Sequence, residues 1–124
     1  MEGGTAVTGQ YAHNIDAKGR LFIPAKLREE LGQTFHVTIG LDHCLSIYSN
    51  ESWDAFMDKL RDLPYSKAKA LRVLSANAVD CEPDAQGRIL IPAKLRQYAD
   101  LQKEVVVIGS FDRADIWSAD LWAR

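Results

Sequence analysis

The feature that most constrains this chain is an internal duplication. Residues 16–28 read DAKGRLFIPAKLR and residues 84–96 read DAQGRILIPAKLR, so ten of thirteen positions are identical at an offset of 68. At an offset of 69 the similarity continues, pairing 35–40 with 104–109 and 47–53 with 116–122. Two copies are too few for a solenoid, and a half of about 50 residues buries little core alone. We therefore expect two intertwined or tightly packed halves related by pseudo-two-fold symmetry.

Turn signals and residue spacing predict a mainly β protein with short helices. We expect the same order in each half: strand, tight turn, short strand, helix opened by proline, and two further strands. Apolar residues at helical spacing on both sides of Pro64 predict a helical hairpin between the halves. The predicted division is a flexible N-terminal lead (1–8), a first half (9–53), connecting helices (54–77) and a second half (78–124).

Positive charge is concentrated in the duplicated segments. The chain has 15 Lys and Arg, 17 Asp and Glu, and a net charge of −2. Segment 16–28 has four basic residues and one acidic residue, for a net +3, whereas 84–96 has three and one, for +2. The remaining residues therefore carry −7, so two basic segments lie on an acidic body.

Several classes of function find no support in the sequence. No apolar run reaches the roughly 18–20 residues that a membrane span needs, and the first residues do not resemble a signal peptide. Cys44 and Cys81 predict buried thiols in a reducing compartment. The three histidines lack zinc-ligand spacing, and no nucleotide-binding or nucleophile motif occurs. We therefore expect no enzyme activity, metal, cofactor or small-molecule substrate, and a cytoplasmic protein.

The order strand, Asp-x-x-Gly-Arg, apolar strand, Ile-Pro and amphipathic helix resembles the SpoVT/AbrB-type swapped-hairpin DNA-binding domain. Two such copies joined by a helical hairpin resemble the MraZ family of transcriptional regulators, from about Gly9 to Trp122. The resemblance implies an α+β fold of two pseudo-symmetric AbrB-like β-barrel halves. It also implies a homo-oligomeric closed ring that binds direct repeats in promoter DNA, as a nucleoid-associated repressor of the division and cell-wall gene cluster. Arg20 and Arg88 occupy the family's DNA-contact position.

The chemistry of the basic residues fits that implication. Arginine presents a planar fork of donors to phosphate or guanine, and a two-stranded hairpin is narrow enough for the major groove. The predicted DNA-binding residues are Lys18, Arg20, Lys26, Arg28, Arg88, Lys94 and Arg96. The predicted turn-shaping residues are Asp16, Gly19, Asp84 and Gly87. Because Gln86 replaces Lys18 in the second half, we expect the first half to carry more of the DNA affinity.

Three alternatives stay open at this point. Asp16 and Arg20 could form only a turn-closing ion pair, and the helix cations could form only a solvated face. The chain could instead be an antitoxin, a class that shares the hairpin domain and usually carries one copy. It could also be a ring-forming scaffold that does not bind DNA. The recurring aromatic residues predict core or subunit contacts rather than base stacking; they are Tyr48, Trp53, Trp117 and Trp122.

Overall fold

The computed structural model of the chain describes residues 6–124, apart from the side chain of Ala70. The first half and the connecting segment contain β1 (Gln10–Asn14), β2 (Arg20–Phe22), α1 (Ala25–Leu31), β3 (Phe35–Ile39), β4 (Leu45–Ser49), α2 (Asn50–Arg61) and α3 (Tyr65–Ala76). The second half contains β5 (Val79–Cys81), β6 (Arg88–Leu90), α4 (Ala93–Tyr98), β7 (Glu104–Ser110), β8 (Arg113–Ser118) and α5 (Ala119–Trp122). The mainly β α+β class predicted from the duplication is confirmed.

The two halves exchange strands in a six-stranded antiparallel sheet. The strand order is β1-β7-β8-β4-β3-β5. Strand β1 of the first half pairs with β7 of the second, with Tyr11 opposite Val107. In return β5 of the second half pairs with β3 of the first, with Val37 opposite Val79. Each half therefore supplies an edge strand next to the other half's hairpin, and the halves are intertwined as expected.

A second, two-stranded sheet joins the short strands β2 and β6, and we refer to it as the ribbon. Its antiparallel register places Leu21 opposite Ile89. These two side chains are buried, at 0% and 1% exposure, within one continuous core shared by both halves. Burial of the central residue of each strand fixes which side of the ribbon faces outward, because side chains alternate along a strand.

Helices α1 and α4 begin at the predicted proline signals, whereas α2 begins at Asn50, inside the predicted first half (9–53). Pro24 and Pro92 precede α1 and α4, and Gly32 ends α1 with a φ of 98°. The hydroxyl oxygen of Ser49 accepts a hydrogen bond from the Ser52 N–H and caps α2. Helices α2 and α3 contact each other as the predicted hairpin. Within residues 6–124 no helix is both long and apolar enough to cross a lipid bilayer.

Two features differ from the sequence analysis. Helix α5 was not predicted, although Ser118 caps it by accepting from the Leu121 N–H, as Ser49 does for α2. The predicted flexible lead (1–8) lies partly outside the described residues. Of its described part, Val7 is 3% exposed and pairs with Phe111 through two backbone hydrogen bonds. Val7 belongs to the core because it covers apolar surface beside the β7–β8 turn.

The recurring aromatic residues pack in equivalent pairs in the two halves. The ring centroids of Tyr48 and Trp53 lie 5.5 Å apart, and those of Trp117 and Trp122 lie 5.8 Å apart. Tyr48 is buried, whereas Trp122 is 40% exposed. Each pair joins the last strand of a half to the helix that follows it, and Trp122 keeps part of its ring exposed.

Candidate nucleic-acid interface

The outward face of the ribbon carries one arginine from each half. Register pairs Arg20 with Leu90 and Phe22 with Arg88, while the alternate residues point into the core. These four side chains, Arg20, Phe22, Arg88 and Leu90, form what we call the ribbon face. The two arginines are diagonal neighbours, whose Cα atoms lie about 7–8 Å apart in standard antiparallel geometry. The fold thus brings together two residues that are 68 positions apart in the sequence.

Each arginine is oriented by the aspartate that opens its own turn. In the first half, Asp16 Oδ1 accepts from the backbone N–H groups of Lys18 and Arg20, both at 2.9 Å. Its other oxygen, Oδ2, accepts from Arg20 Nε at 2.7 Å. Aspartate suits this place because its short carboxylate can reach the backbone ahead of it and the arginine at the same time.

The second half repeats this geometry atom for atom. Asp84 Oδ1 accepts from the backbone N–H groups of Gln86 and Arg88 at 2.9 Å, and Oδ2 accepts from Arg88 Nε at 2.9 Å. The hydrogen bond from the Arg88 backbone lowers the pKa of Asp84, and the bond from the Arg20 backbone lowers that of Asp16. Both carboxylates therefore remain charged well below neutral pH.

The ion pairs leave the arginines accessible. The side chains of Arg20 and Arg88 are 33% and 28% exposed. Among residues 6–124 each arginine side chain has one hydrogen bond, from Nε to the carboxylate. The two terminal nitrogens of each guanidinium are therefore available for a phosphate or a base edge.

The sequence predicts Arg28 and Arg96 as DNA-binding cations or as part of a solvated helix face. In the structure their surroundings differ from both. Arg28 Nε donates to the carbonyl oxygen of Ile23 at 2.9 Å, and Arg96 Nε donates to that of Ile91 at 2.9 Å. A Cβ at Gly87 would lie 3.0 Å from the Arg28 guanidinium carbon. Each guanidinium is therefore packed against a turn and is not free on the helix surface.

Among residues 6–124, no hydrogen bond joins a predicted lysine to a ribbon arginine. Lys18 is exposed on the first turn, while Lys26 and Lys94 are exposed on the first turns of α1 and α4. Lys26 Nζ lies 3.4 Å from the hydroxyl oxygen of Thr8. All three ammonium groups are therefore accessible to solvent.

Two residues of the ribbon face were missed by the sequence analysis. Leu90 is 60% exposed between the two arginines. Phe22 contacts the His13 ring edge-on, with centroids 5.3 Å apart, and the Arg28 guanidinium lies 5.8 Å from its ring centroid. Both lie two residues from an arginine on the same strand or directly opposite one, so period-two alternation could have identified them.

The cysteine and histidine side chains of residues 6–124 have mostly apolar or aromatic neighbours. Burial raises the pKa of Cys44 and of Cys81 to about 11, so both thiols stay protonated at neutral pH and are poor nucleophiles. His43, next to Cys44 in sequence, stacks on Tyr98 with ring centroids 5.9 Å apart. In the part of the chain that the structure describes, no three His, Cys, Asp or Glu side chains are grouped to hold a metal ion.

Comparison with known proteins gives matches over nearly the whole chain. A family model described as "MraZ protein, putative antitoxin-like" matches residues 6–76 and again residues 74–124. A protein of Carboxydothermus hydrogenoformans named "Transcriptional regulator MraZ" is 50% identical over 117 residues, covering 92% of this chain and 82% of that protein. Its namesake from Thermoanaerobacter sp. is 54% identical over 117 residues with the same coverage. The duplicated match agrees with the resemblance predicted from the sequence.

Proposed function

Because the chain belongs to the MraZ family, we propose that it is a DNA-binding transcriptional regulator that uses the ribbon face to contact DNA. One observation carries the proposal: Arg20 and Arg88 emerge side by side from a narrow two-stranded ribbon whose opposite side is buried. The major groove of B-DNA is about 12 Å wide and admits such a ribbon. Both relatives are named as transcriptional regulators, which supports the regulatory role.

The residues of the interface have distinct roles in this proposal. Arg20 and Arg88 contact base edges or phosphates with their terminal nitrogens, while Asp16 and Asp84 shape the turns and hold the arginines by Nε. Exposed lysines neutralise flanking phosphates, which adds affinity without sequence information. They are Lys18, Lys26 and Lys94. Arg28 and Arg96 stay in the predicted interface, with the packing described above.

The apolar part of the ribbon face suits direct readout. Leu90 and Phe22 lie among the arginines, and apolar side chains at such positions contact the methyl group of thymine in the major groove. The halves differ here, because leucine in one replaces phenylalanine in the other. A single subunit therefore presents a different apolar side chain from each half to the DNA.

The finer parts of the proposal concern assembly and target. One subunit offers few cations on a body with a net charge of −2, which predicts modest affinity for a single site. A closed ring of identical subunits would present many ribbons to direct repeats, and linked binding raises effective affinity by about 10²–10⁴. We propose that the protein represses its own division and cell-wall gene cluster in this way, as a cytoplasmic, nucleoid-associated protein without catalytic activity.

DNA-binding titrations test this proposal. The purified chain is titrated against DNA from its own upstream region and against the same DNA with its repeats scrambled, and light scattering reports the mass of free protein and complex. We expect tighter binding to the intact repeats and a mass of several subunits. Equal affinity for both DNAs contradicts sequence-specific regulation, and a monomer in both states contradicts the ring.

The family description favours an antitoxin as the second candidate. An antitoxin would also bind DNA, so DNA binding does not separate it from a regulator of its own cluster. Co-purification of one stoichiometric protein encoded by the adjacent gene would favour the antitoxin. A ring-forming scaffold, the third candidate, predicts an oligomer with no DNA binding in the titrations above.

A further inference from the structure

The helix arginines Arg28 and Arg96 are committed to contacts that cross between the halves. The guanidinium of Arg28, in the first half, packs on Gly87 of the second, and Arg96 packs on Gly19 of the first. For Gly19, a Cβ would lie 3.0 Å from both the guanidinium carbon and a terminal nitrogen of Arg96. Both turn glycines have positive φ angles, 87° at Gly19 and 80° at Gly87.

Backbone hydrogen bonds tie the same groups together. The Ile23 N–H donates to the Gly87 carbonyl oxygen at 2.9 Å, while the Ile23 carbonyl oxygen accepts from Arg28 Nε at 2.9 Å. In the same way, the Ile91 N–H donates to the Gly19 carbonyl oxygen at 2.9 Å, and the Ile91 carbonyl oxygen accepts from Arg96 Nε. Each helix arginine thus donates to an isoleucine of its own half and packs on the turn glycine of the opposite half. The same isoleucine donates its N–H to the carbonyl oxygen of that glycine.

These turns determine where the ribbon arginines lie. Arg88 follows Gly87 directly, and Arg20 follows Gly19 directly. A shift of either turn moves the first residue of its ribbon strand, and a displacement of about 1 Å at such a position already disturbs bidentate recognition. The flat guanidinium fits against a turn that has no Cβ, whereas an ammonium group supplies neither the plane nor the Nε donor.

We propose that Arg28 and Arg96 are positioning residues, each holding the DNA-contacting arginine of the opposite half: Arg28 acts on Arg88, and Arg96 acts on Arg20. This inference rests on the proposed function, since it assigns how the ribbon arginines are held. It departs from the expectation that the helix arginines act mainly as cations toward phosphate. The pairing is crossed, so a change in one half affects the contact made by the other.

Charge-conserving substitutions separate positioning from phosphate contact. Arg28→Lys and Arg96→Lys keep the charge, so the dependence of DNA affinity on salt should stay as in the wild type. We expect each to weaken DNA binding about two- to tenfold through the lost hydrogen bond and packing. Arg61→Lys is the matched control, because Arg61 lies on α2 with its side chain 74% exposed, and it should bind as the wild type does.

Double variants test the crossing. With Arg88→Ala, Arg28→Lys should add little further loss, because the contact that it positions is already gone; with Arg20→Ala its effect should multiply. Arg96→Lys should show the reverse pattern. Wild-type affinity in both lysine variants, or equal coupling to Arg20 and Arg88, overturns the proposal.

Amide hydrogen exchange gives a readout that needs no DNA. In Arg96→Lys, exchange should accelerate at Gly19 and Arg20 and stay unchanged at Gly87 and Arg88. In Arg28→Lys, exchange should accelerate at Gly87 and Arg88 and stay unchanged at Gly19 and Arg20. Equal acceleration at both turns contradicts crossed positioning. Should the wild type bind no DNA, the proposed function fails, and this exchange pattern still decides whether the helix arginines hold the turns. If a lysine variant does not fold, Arg→Gln at the same position, which retains a planar amide, replaces it.

Discussion

At the turns before the ribbon, two requirements act on one residue. Gly19 has a φ of 87°, which favours glycine, and its missing Cβ leaves space for the Arg96 guanidinium. Substitution at Gly19 therefore combines backbone strain with displacement of Arg96, and a protein that lacks the Arg96 side chain separates the two effects.

We predict that Gly19→Ala lowers the free energy of unfolding more in the wild type than in a protein that already carries Arg96→Ala. Strain at positive φ alone should cost about 1 kcal/mol, and displacement of Arg96 should bring the cost in the wild type to about 2–3 kcal/mol. Thermal or denaturant unfolding of the two single variants, the double variant and the wild type measures the difference. Equal losses from Gly19→Ala with and without the Arg96 side chain would show that the close approach of Arg96 contributes nothing to stability.

The two turn aspartates predict a specific response to acid. Their pKa values are lowered in the folded protein, so the stability that they contribute is complete above the unfolded carboxyl pKa of about 4. That contribution is lost as the pH falls through the lowered folded values. Wild-type stability should therefore decline on acidification more steeply than that of a variant carrying Asp16→Asn and Asp84→Asn.

Asparagine suits this test because its Oδ1 can still accept from the backbone N–H groups, whereas its Nδ2 replaces the charged oxygen that accepts from the arginine Nε. Melting curves recorded from about pH 6 down to about pH 2 compare the two proteins. Superimposable pH profiles would mean that neither carboxylate stabilises the folded state.

Within the ribbon, neighbouring residues alternate between the core and the exposed ribbon face. Ile89 is 1% exposed against the shared core, while the adjacent Leu90 is 60% exposed on the ribbon face. Ile89→Ala should lower the free energy of unfolding by about 2–5 kcal/mol, because it leaves a cavity. Leu90→Ala should change it by less than about 0.5 kcal/mol and act on DNA binding instead.

Chemical denaturation together with DNA titration measures both effects. The two positions serve as controls for each other, because they lie on the same strand and their side chains have similar volumes. A large loss of stability from Leu90→Ala would indicate that this side of the ribbon is packed in the folded protein and is not a binding face.

The sequence predicted the positions of the helices and strands better than it predicted which strands pair. Strong local signals at Pro24, Ser49 and Gly32 located the helices and their ends. The repeat matches Ser118 to Ser49, the residue that caps α2, so it contains the signal for α5. No local pattern states which copy of a strand pairs with which, so the β1–β7 and β2–β6 partners required the three-dimensional structure.

The same limit explains what was missed at the site. The repeat places Arg20 and Arg88 directly after a glycine turn, and the family resemblance predicts them as DNA contacts. The commitment of Arg28 to Gly87 depends on a turn 59 positions away in the sequence, which helix periodicity cannot reveal. Val7 was assigned to a flexible lead because its flanking residues are small and polar, whereas its partner lies at the distant β7–β8 turn.

At the scale of the whole molecule, strand exchange makes the halves interdependent. The first half supplies β1 to the second half's β7, and the ribbon needs one strand from each. We therefore predict that a fragment ending in the α2–α3 turn, residues 1–63, is never a folded monomer. Because the second half resembles the first, two such fragments can replace each other's missing strands and form a folded dimer.

Circular dichroism with light scattering on this fragment tests the prediction. An unfolded monomer or a folded dimer agrees with it. A cooperatively folding monomer would show that the first half has a sufficient core without its partner's strands.

We propose that Arg20 and Arg88 together contact DNA from one face of the ribbon. The most direct measurement compares a variant carrying Arg20→Ala and Arg88→Ala with one carrying Lys59→Ala and Lys67→Ala on the helical hairpin. Both lose two positive charges, and both are titrated against the upstream DNA at the same salt concentration. We predict at least about a 30-fold loss of affinity for the ribbon variant, from 1–3 kcal/mol per arginine, and a loss below about threefold for the other. Equal losses in the two variants would contradict the claim.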